Sequence, residues 1–244
     1  NLHAEIIIKS LKAGKNVFVE KPLCLTREEQ AEVEDAYAEC SKNGVKLLVG
    51  FNRRFSSHAV RIQQAFKDKL HPIVMTYRVT AGEFPRDHWV HDPDIGGGRI
   101  VGEACHFVDL MQFICDAHPV TVQDSSIDTH HSGITEDQSV FIFNFSDGSV
   151  GTLIYAAGGD KSMPKERFEC FGDGQSAYID DFKASEIFSK GRGIKHKTKK
   201  IDKGFSDEMK SFVSMVSEGK TPISFEQISA VTSICFDAQD ALRG

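Results

Sequence analysis

Apolar residues recur at helical spacing from the first positions of the chain. Leu2, Ile6, Ile7 and Leu11 form one stripe, closed by Ala13-Gly14, and predict a helix over 2–13. A short apolar run, Val17-Phe18-Val19, predicts a strand over 16–20. A long helix follows over 26–42, with Thr26 as N-cap and Glu29 three residues later in a capping box. Gly44 stops it, and Lys46–Val49 is the next strand. Helices alternating with short buried strands imply crossover connections and a parallel sheet. The first fifty residues therefore look like the second half of a doubly wound α/β domain.

Past Phe51 the period changes. A helix over 57–69 and a strand over 73–81 lead into the loop EFPRDHWVHDPDIGGG, followed by a helix over about 99–115. Beyond it the alternation is two-residue. VFIFNFSDGSVGTLIYAA reads as two strands joined by a Ser-Asp-Gly turn, and RFECFGDGQSAYID repeats the pattern around Gly172–Gly174. Strands over 184–189 and 194–201 and helices over 205–217 and 224–242 complete the chain. This second region is α+β on a largely antiparallel open sheet. The organisation expected is thus a dinucleotide-type half-domain over 1–51 and an α+β domain over 52–244. Phe141, Phe143 and Phe145 take one side of their strand, and Val140, Ile142 and Asn144 take the other. Both sides are substantially apolar, which predicts a homo-oligomer that buries the second face of the sheet.

Composition narrows the classes. The 244 residues are 40% hydrophobic and 26% charged, enough for a sizeable core. The formal charge of -6 gives no electrostatic case for nucleic acid or an anionic membrane as partner. No apolar stretch reaches the roughly 18 residues of a membrane span, and no signal peptide is evident. Six scattered cysteines without a CxxC pair read as reduced, buried thiols of a cytoplasmic protein. His130-His131 reads as a loop, so no metal site is expected. The basic run KHKTKK (195–200) falls on an alternating strand and reads as a solvated edge.

The chemistry concentrates where the first strand ends. In VFVEKPLCLT the strand gives way to Glu20-Lys21-Pro22 instead of a solvent turn. Ligands of a doubly wound sheet sit beyond the carboxyl ends of its strands, where these three residues lie. Pro22 disfavours the helical conformation at Lys21, so the lysine is held extended and its ammonium projects into the crevice. There it can donate a proton or hydrogen bond to a reacting oxygen, or it is simply half of a surface Glu-Lys pair. Gly96–Gly98 is a plain loop or a place of close ligand approach. His106, amid Ala104, Cys105, Phe107 and Val108, is a core histidine or an acid/base. Trp89 packs its loop or stacks on a sugar.

Three ordered motifs carry a resemblance: GKNVFVEKPLCLT, VGFNRRF and GGGRIVGEACHFVDLMQF. Together they resemble the glucose-fructose oxidoreductase, inositol dehydrogenase and rhizopine catabolism protein (Gfo/Idh/MocA) family of NAD(P)-dependent oxidoreductases. PRDHWVHDP is similar to the branch fused to zinc-type alcohol dehydrogenase-like modules and tied to surface polysaccharides. The resemblance implies an N-terminal Rossmann domain, NAD or NADP as cofactor, and a sugar, sugar nucleotide or cyclitol as substrate.

By motif, Lys21 matches the catalytic, nicotinamide-contacting lysine, with Glu20 and Pro22 beside the cofactor and Asn52 and Arg53 in the segment crossing between domains. His106 matches the family's histidine and Asp109 the last aspartate of its pattern. Trp89, Arg99 and Gly102 join His106 and Asp109 as the expected substrate contacts.

Two departures stand out. Gly102 occupies the position of the family's aspartate, with Glu103 beside it, and Glu103 is the candidate to supply the lost carboxylate to His106. No Gly-x-Gly-x-x-Gly precedes Asn1, so the first domain reads as a remnant expected to bind dinucleotide weakly alone. The resulting expectation is a dehydrogenase or reductase. A non-catalytic NAD or sugar sensor and an NAD-dependent glycosidase are the other readings of the same scaffold.

Overall fold

The computed structural model describes residues 2–85, 87–92, 95–127 and 137–243. The His130-His131 pair lies outside them. Helix α1 (His3–Lys12) buries Ala4, Ile7 and Leu11 and leads into β1 (Val17–Val19). Helix α2 (Arg27–Cys40) starts on the expected cap, the Thr26 hydroxyl accepting the Glu29 N–H at 3.1 Å. The Glu29 carboxylate reaches one residue further back than the capping box requires, to the Leu25 N–H at 2.8 Å. Gly44 terminates this region in the left-handed conformation (φ 83°), and β2 (Leu47–Val49) pairs parallel with β1, Val17 opposite Leu47.

The remainder surrounds one eight-stranded sheet. Its strands are β3 (Val74–Val79), β4 (Pro119–Ser126), β5 (Gln138–Phe145), β6 (Val150–Ala156), β7 (Glu166–Gly172), β8 (Gln175–Asp180), β9 (Ala184–Ser189) and β10 (Arg192–Lys197). They lie in the order β10-β9-β8-β7-β3-β6-β5-β4. Only β3–β6 is parallel; every other pair is antiparallel. Helix α3 (Ser57–Phe66) precedes β3. Helix α4 (Cys105–Cys115), entered through a π-helical turn over Ile100–Ala104, lies between β3 and β4. Helices α5 (Phe205–Glu218) and α6 (Phe225–Arg243) end the chain.

The hairpins fall where their alternation placed them. β10 is shifted, spanning 192–197 instead of 194–201, because Lys190 and Gly191 (φ 51° and 72°) make the turn earlier. Strand β4 is an addition to the expected list. PVTVQDSS is too polar to read as a strand, but at the sheet edge it pairs with β5 through backbone hydrogen bonds, which need no apolar side chains. On β5, Phe141, Phe143 and Phe145 are buried, whereas Val140 and Ile142 are 39% and 40% exposed. The helices thus cover one side of the sheet, and the other is open in the single chain.

Across the expected boundary at 51/52 the two parts pack against each other. Helix α6 returns to α2, where Gln30 Nε2 donates to Ser229 Oγ (3.0 Å) and Ser233 Oγ (2.8 Å). Arg27 pairs with Asp237 and Asp240 at 2.8 and 2.7 Å. One buried apolar cluster runs from Ile7 and Leu48 through Phe107 and Tyr77 to Ile234.

Candidate active site

The edge of β1 and the start of α4 face each other across a cleft of about 350 Å³. Lys21, Pro22, Leu25, Phe84, Trp89, Gly96, Gly102 and Glu103 are among its walls. The Lys21–Pro22 peptide is cis. Lys21 Nζ donates to the Gly102 carbonyl at 2.8 Å, so the lysine reaches across the cleft instead of pairing with Glu20 on the surface. One carbonyl uses one of three ammonium hydrogens, and two are left for a ligand.

Gly96 and Gly102 pack against each other and against the aromatic loop. A Cβ on Gly96 would stand 2.6 Å from the Trp89 carbonyl oxygen, and one on Gly102 would stand 3.1 Å from the Gly96 carbonyl oxygen. Gly102 is therefore a close-contact position, and an aspartate there would press on the Gly96 backbone. Trp89 is 58% exposed on the rim, beside the stacked pair Phe84–His88 (ring centroids 4.4 Å).

His106 lies on the first turn of α4, 9% exposed. Its Nδ1 is buried, with no hydrogen-bond partner among the described residues. Burial, followed by the charges of Arg53, Lys21, Lys203 and Lys165, holds the imidazole well below its ordinary pKa, so the ring is neutral at physiological pH. The carboxylate expected beside it is turned elsewhere. Glu103 Oε2 accepts the Tyr155 hydroxyl at 2.6 Å. Burial alone would raise the Glu103 pKa, but the Tyr155 bond and the charges of Arg99, Lys165 and Lys21 outweigh it and bring the pKa down. Glu103 lies in the π-helical turn, not in the α-helical turn that the expectation assumed. The wider winding of a π-turn, with i→i+5 bonds, spreads side chains that an α-turn would stack on one face.

Four of the expected ligand contacts engage other side chains or the backbone in the interior. Asp109, fully buried, accepts from Nε and Nη2 of Arg54. Arg53 donates to both Glu166 oxygens (2.8 and 2.9 Å) and stacks over Phe107 at 5.1 Å. Glu166 also accepts from the Tyr77 hydroxyl (2.6 Å) and Lys203 Nζ (2.7 Å). Burial would raise the Glu166 carboxyl, but the cations win and hold it at about 2. Asn52 Nδ2 donates to the Lys203 carbonyl at 2.8 Å. Arg99, without exposure, is bonded to the Gly82 carbonyl (2.9 Å), ion-paired with Asp137 (3.2 Å) and stacked over Phe84 at 4.6 Å, so it braces the cleft wall from behind.

Tyr155, Glu166, Lys165 and Lys203 went unnoticed in the sequence. Only Tyr155 had a signal there, a polar tip at the last inward position of an apolar strand.

Comparison with known proteins agrees with this architecture. Residues 1–51 match the oxidoreductase-family NAD-binding Rossmann fold, and residues 69–178 match the GFO/IDH/MocA C-terminal domain. A myo-inositol 2-dehydrogenase of Thermotoga maritima is 26% identical over 242 residues, covering 91% of this chain and 68% of that enzyme. The chain spans 54% of two further bacterial oxidoreductases it matches. An oxidoreductase domain protein of Kribbella flavida superposes with a TM-score of 0.83 at 22% identity, over 100% of this chain and 76% of that one. GenD2 from gentamicin A biosynthesis, solved in complex with NAD, superposes with a TM-score of 0.75 at 20% identity, over 99% and 73%.

Proposed function

We propose, because the chain belongs to the Gfo/Idh/MocA oxidoreductase family, that it carries the catalytic cleft of an NAD-dependent dehydrogenase or reductase acting on a sugar or cyclitol. The observation that carries the reading is the Lys21 ammonium, placed beyond the carboxyl end of a parallel strand and held in the cleft by the Gly102 carbonyl.

The residues at that edge fit a nicotinamide. Lys21 has hydrogens to spare, Pro22 gives the cleft an apolar wall, and the strands β1 and β2 end together there. When bound, NAD supplies the hydride acceptor or donor, and the chain supplies placement and proton handling. Lys21 donates a hydrogen bond to the substrate oxygen, fixing the carbon that changes oxidation state. His106 is neutral and therefore able to accept the hydroxyl proton. Its Nδ1 is sealed in the interior, so this reading assigns the task to Nε2, although His106 is not among the residues lining the cleft. In the reductive direction the same nitrogen returns the proton.

A binding-only role as an NAD or sugar sensor is the second reading. It is favoured by one observation: among the described residues the buried Nδ1 of His106 has no hydrogen-bond partner, so no carboxylate holds it there. Lys21→Met in the complete protein separates the two. The substitution keeps the apolar stem and removes the charge and its donors. Turnover of NAD with a polyol or sugar panel is expected to be abolished, with the circular dichroism spectrum and Tm unchanged. Activity within a few-fold of wild type would show that Lys21 is not the group on which chemistry depends. Turnover absent from the wild type, with ligand binding intact, would establish the sensor.

We assign the open face of the eight-stranded sheet to contact between copies of the protein in the cytoplasm. The exposed Val140, Ile142, Phe171 and Phe188 support this reading.

A further inference from the structure

The polar side chains that line the cleft are each already bonded within the protein. Lys21 donates to the Gly102 carbonyl, and Glu103 accepts from Tyr155. His3 Nδ1 donates to the Pro22 carbonyl at 2.7 Å, and Glu29 accepts the Leu25 N–H at 2.8 Å. His88 Nδ1 accepts the Val90 N–H at 3.3 Å, and Cys24 Sγ reaches the Thr26 carbonyl. A bare polyol brings several hydroxyls, and each one buried without a partner is costly.

Much of the remaining wall is apolar. Leu25, Phe84, Trp89, Val90 and Ile95 line the same cleft as Lys21. Phe84, Trp89 and Ile95 come from one loop and are exposed, and large apolar side chains gathered in this way mark a binding surface. Their rings are held in place. Phe84 stacks on His88 with centroids 4.4 Å apart, and His88 lies 5.4 Å from Trp89. The buried Arg99 guanidinium sits 4.6 Å from the Phe84 centroid and fixes that ring from behind. Leu25 packs on Gly97, where a Cβ would stand 2.7 Å from its Cδ2. A rim ordered before the ligand arrives loses little freedom when it binds.

We propose, resting on the oxidoreductase reading above, that the substrate is a ring alcohol bearing an aryl group. Its reacting hydroxyl meets Lys21, and its aryl group packs against Leu25, Phe84, Trp89 and Ile95. Aromatic rings attract one another in offset or edge-to-face contact, which a saturated polyol does not reproduce. The cleft volume of about 350 Å³ lies within the range of small-molecule sites. Trp89 is then a specificity-determining residue that touches substrate away from the reacting carbon.

The test is calorimetric titration of the complete protein with matched methyl and phenyl β-glycosides of glucose, galactose and mannose. At least one phenyl glycoside is expected to bind about tenfold or more tightly than its methyl partner. Trp89→Ala is expected to cut that ratio by about fivefold or more, and Trp89→Phe to keep most of it. Leu70→Ala, on an exposed leucine that does not line the cleft, is expected to leave it unmoved. Should Trp89→Ala lower the Tm, Trp89→Leu, which keeps bulk without the aromatic face, reads the same ratio. The inference is overturned if no phenyl glycoside binds more tightly than its methyl partner, absence of binding included. It is equally overturned if removing the Trp89 ring leaves the ratio unchanged. Weakened NADH binding in that case would assign the ring to the cofactor. The Lys21→Met turnover assay reports on the oxidoreductase reading independently of this ratio.

Discussion

Replacing Glu208 with Gln should stabilise the protein, by an amount that grows with pH. Glu208 lies on α5 at 2% exposure, and its Oε1 has no hydrogen-bond partner among the described residues. One turn further along the helix, Phe212 packs on Phe18 of β1 with ring centroids 5.6 Å apart. Helix positions four apart share a face, and strand positions two apart share a side, so this packing brings Glu208 toward Glu20. Burial, then the charges of Glu20 and Asp109, raises the Glu208 carboxyl from 4.5 to about 8.

The folded protein therefore keeps a proton between pH 4.5 and 8 that the unfolded chain has released. The stability tied to the protonated form is fully present below pH 4.5 and is lost as pH rises through about 8. The slope approaches about 1.4 kcal/mol per pH unit, giving roughly 3 kcal/mol at neutrality and 4–5 kcal/mol once the folded carboxyl ionises. Gln keeps the shape and stays neutral, so it escapes this loss. Urea unfolding of both proteins at pH values of about 5, 7 and 9 measures the difference. The two curves should nearly coincide at the lowest pH and diverge steadily above it. Parallel stabilities across the window, or a Gln variant weaker throughout, would show that the carboxyl is ionised and paired, and would refute the reasoning.

Glu166→Gln should destabilise the protein by about 3–5 kcal/mol at neutral pH, because it leaves Arg53 buried without its full counter-charge. Since Glu166 is depressed from 4.5 to about 2, its contribution is present above pH 4.5 and lost as pH falls toward 2. The variant should therefore show a flatter acid limb in denaturant titrations. Gly96→Ala should cost about 1–3 kcal/mol by thermal unfolding, because the new methyl meets the backbone of Trp89 and Val90 at 2.6 and 2.7 Å. An unchanged Tm would mean that the loop yields freely. Light scattering at tens of micromolar should give the wild type a mass above that of one chain, and Ile142→Asp on the open sheet face should reduce it. A strictly monomeric wild type would remove the homo-oligomer.

Local pattern was enough to locate most elements. The N-cap at Thr26, the helix stop at Gly44 and the alternating phenylalanines of β5 each depend on neighbours a few residues away, so a linear reading finds them. The edge strand β4 escaped that reading, since its stability comes from backbone pairing with β5 and not from its own polar side chains.

Placement of Lys21 was legible for the same reason. A charged pair and a proline ending a buried strand point to the carboxyl edge of a parallel sheet, and the lysine reaches into the cleft there. The partnerships of charged side chains were not legible, because they join residues far apart in the chain. Arg53 meets Glu166 across 113 positions, Arg54 meets Asp109 across 55, and Tyr155 reaches Glu103 across 52. Which of several similar carboxylates a cation chooses is decided by packing and by the cost of leaving any buried charge alone.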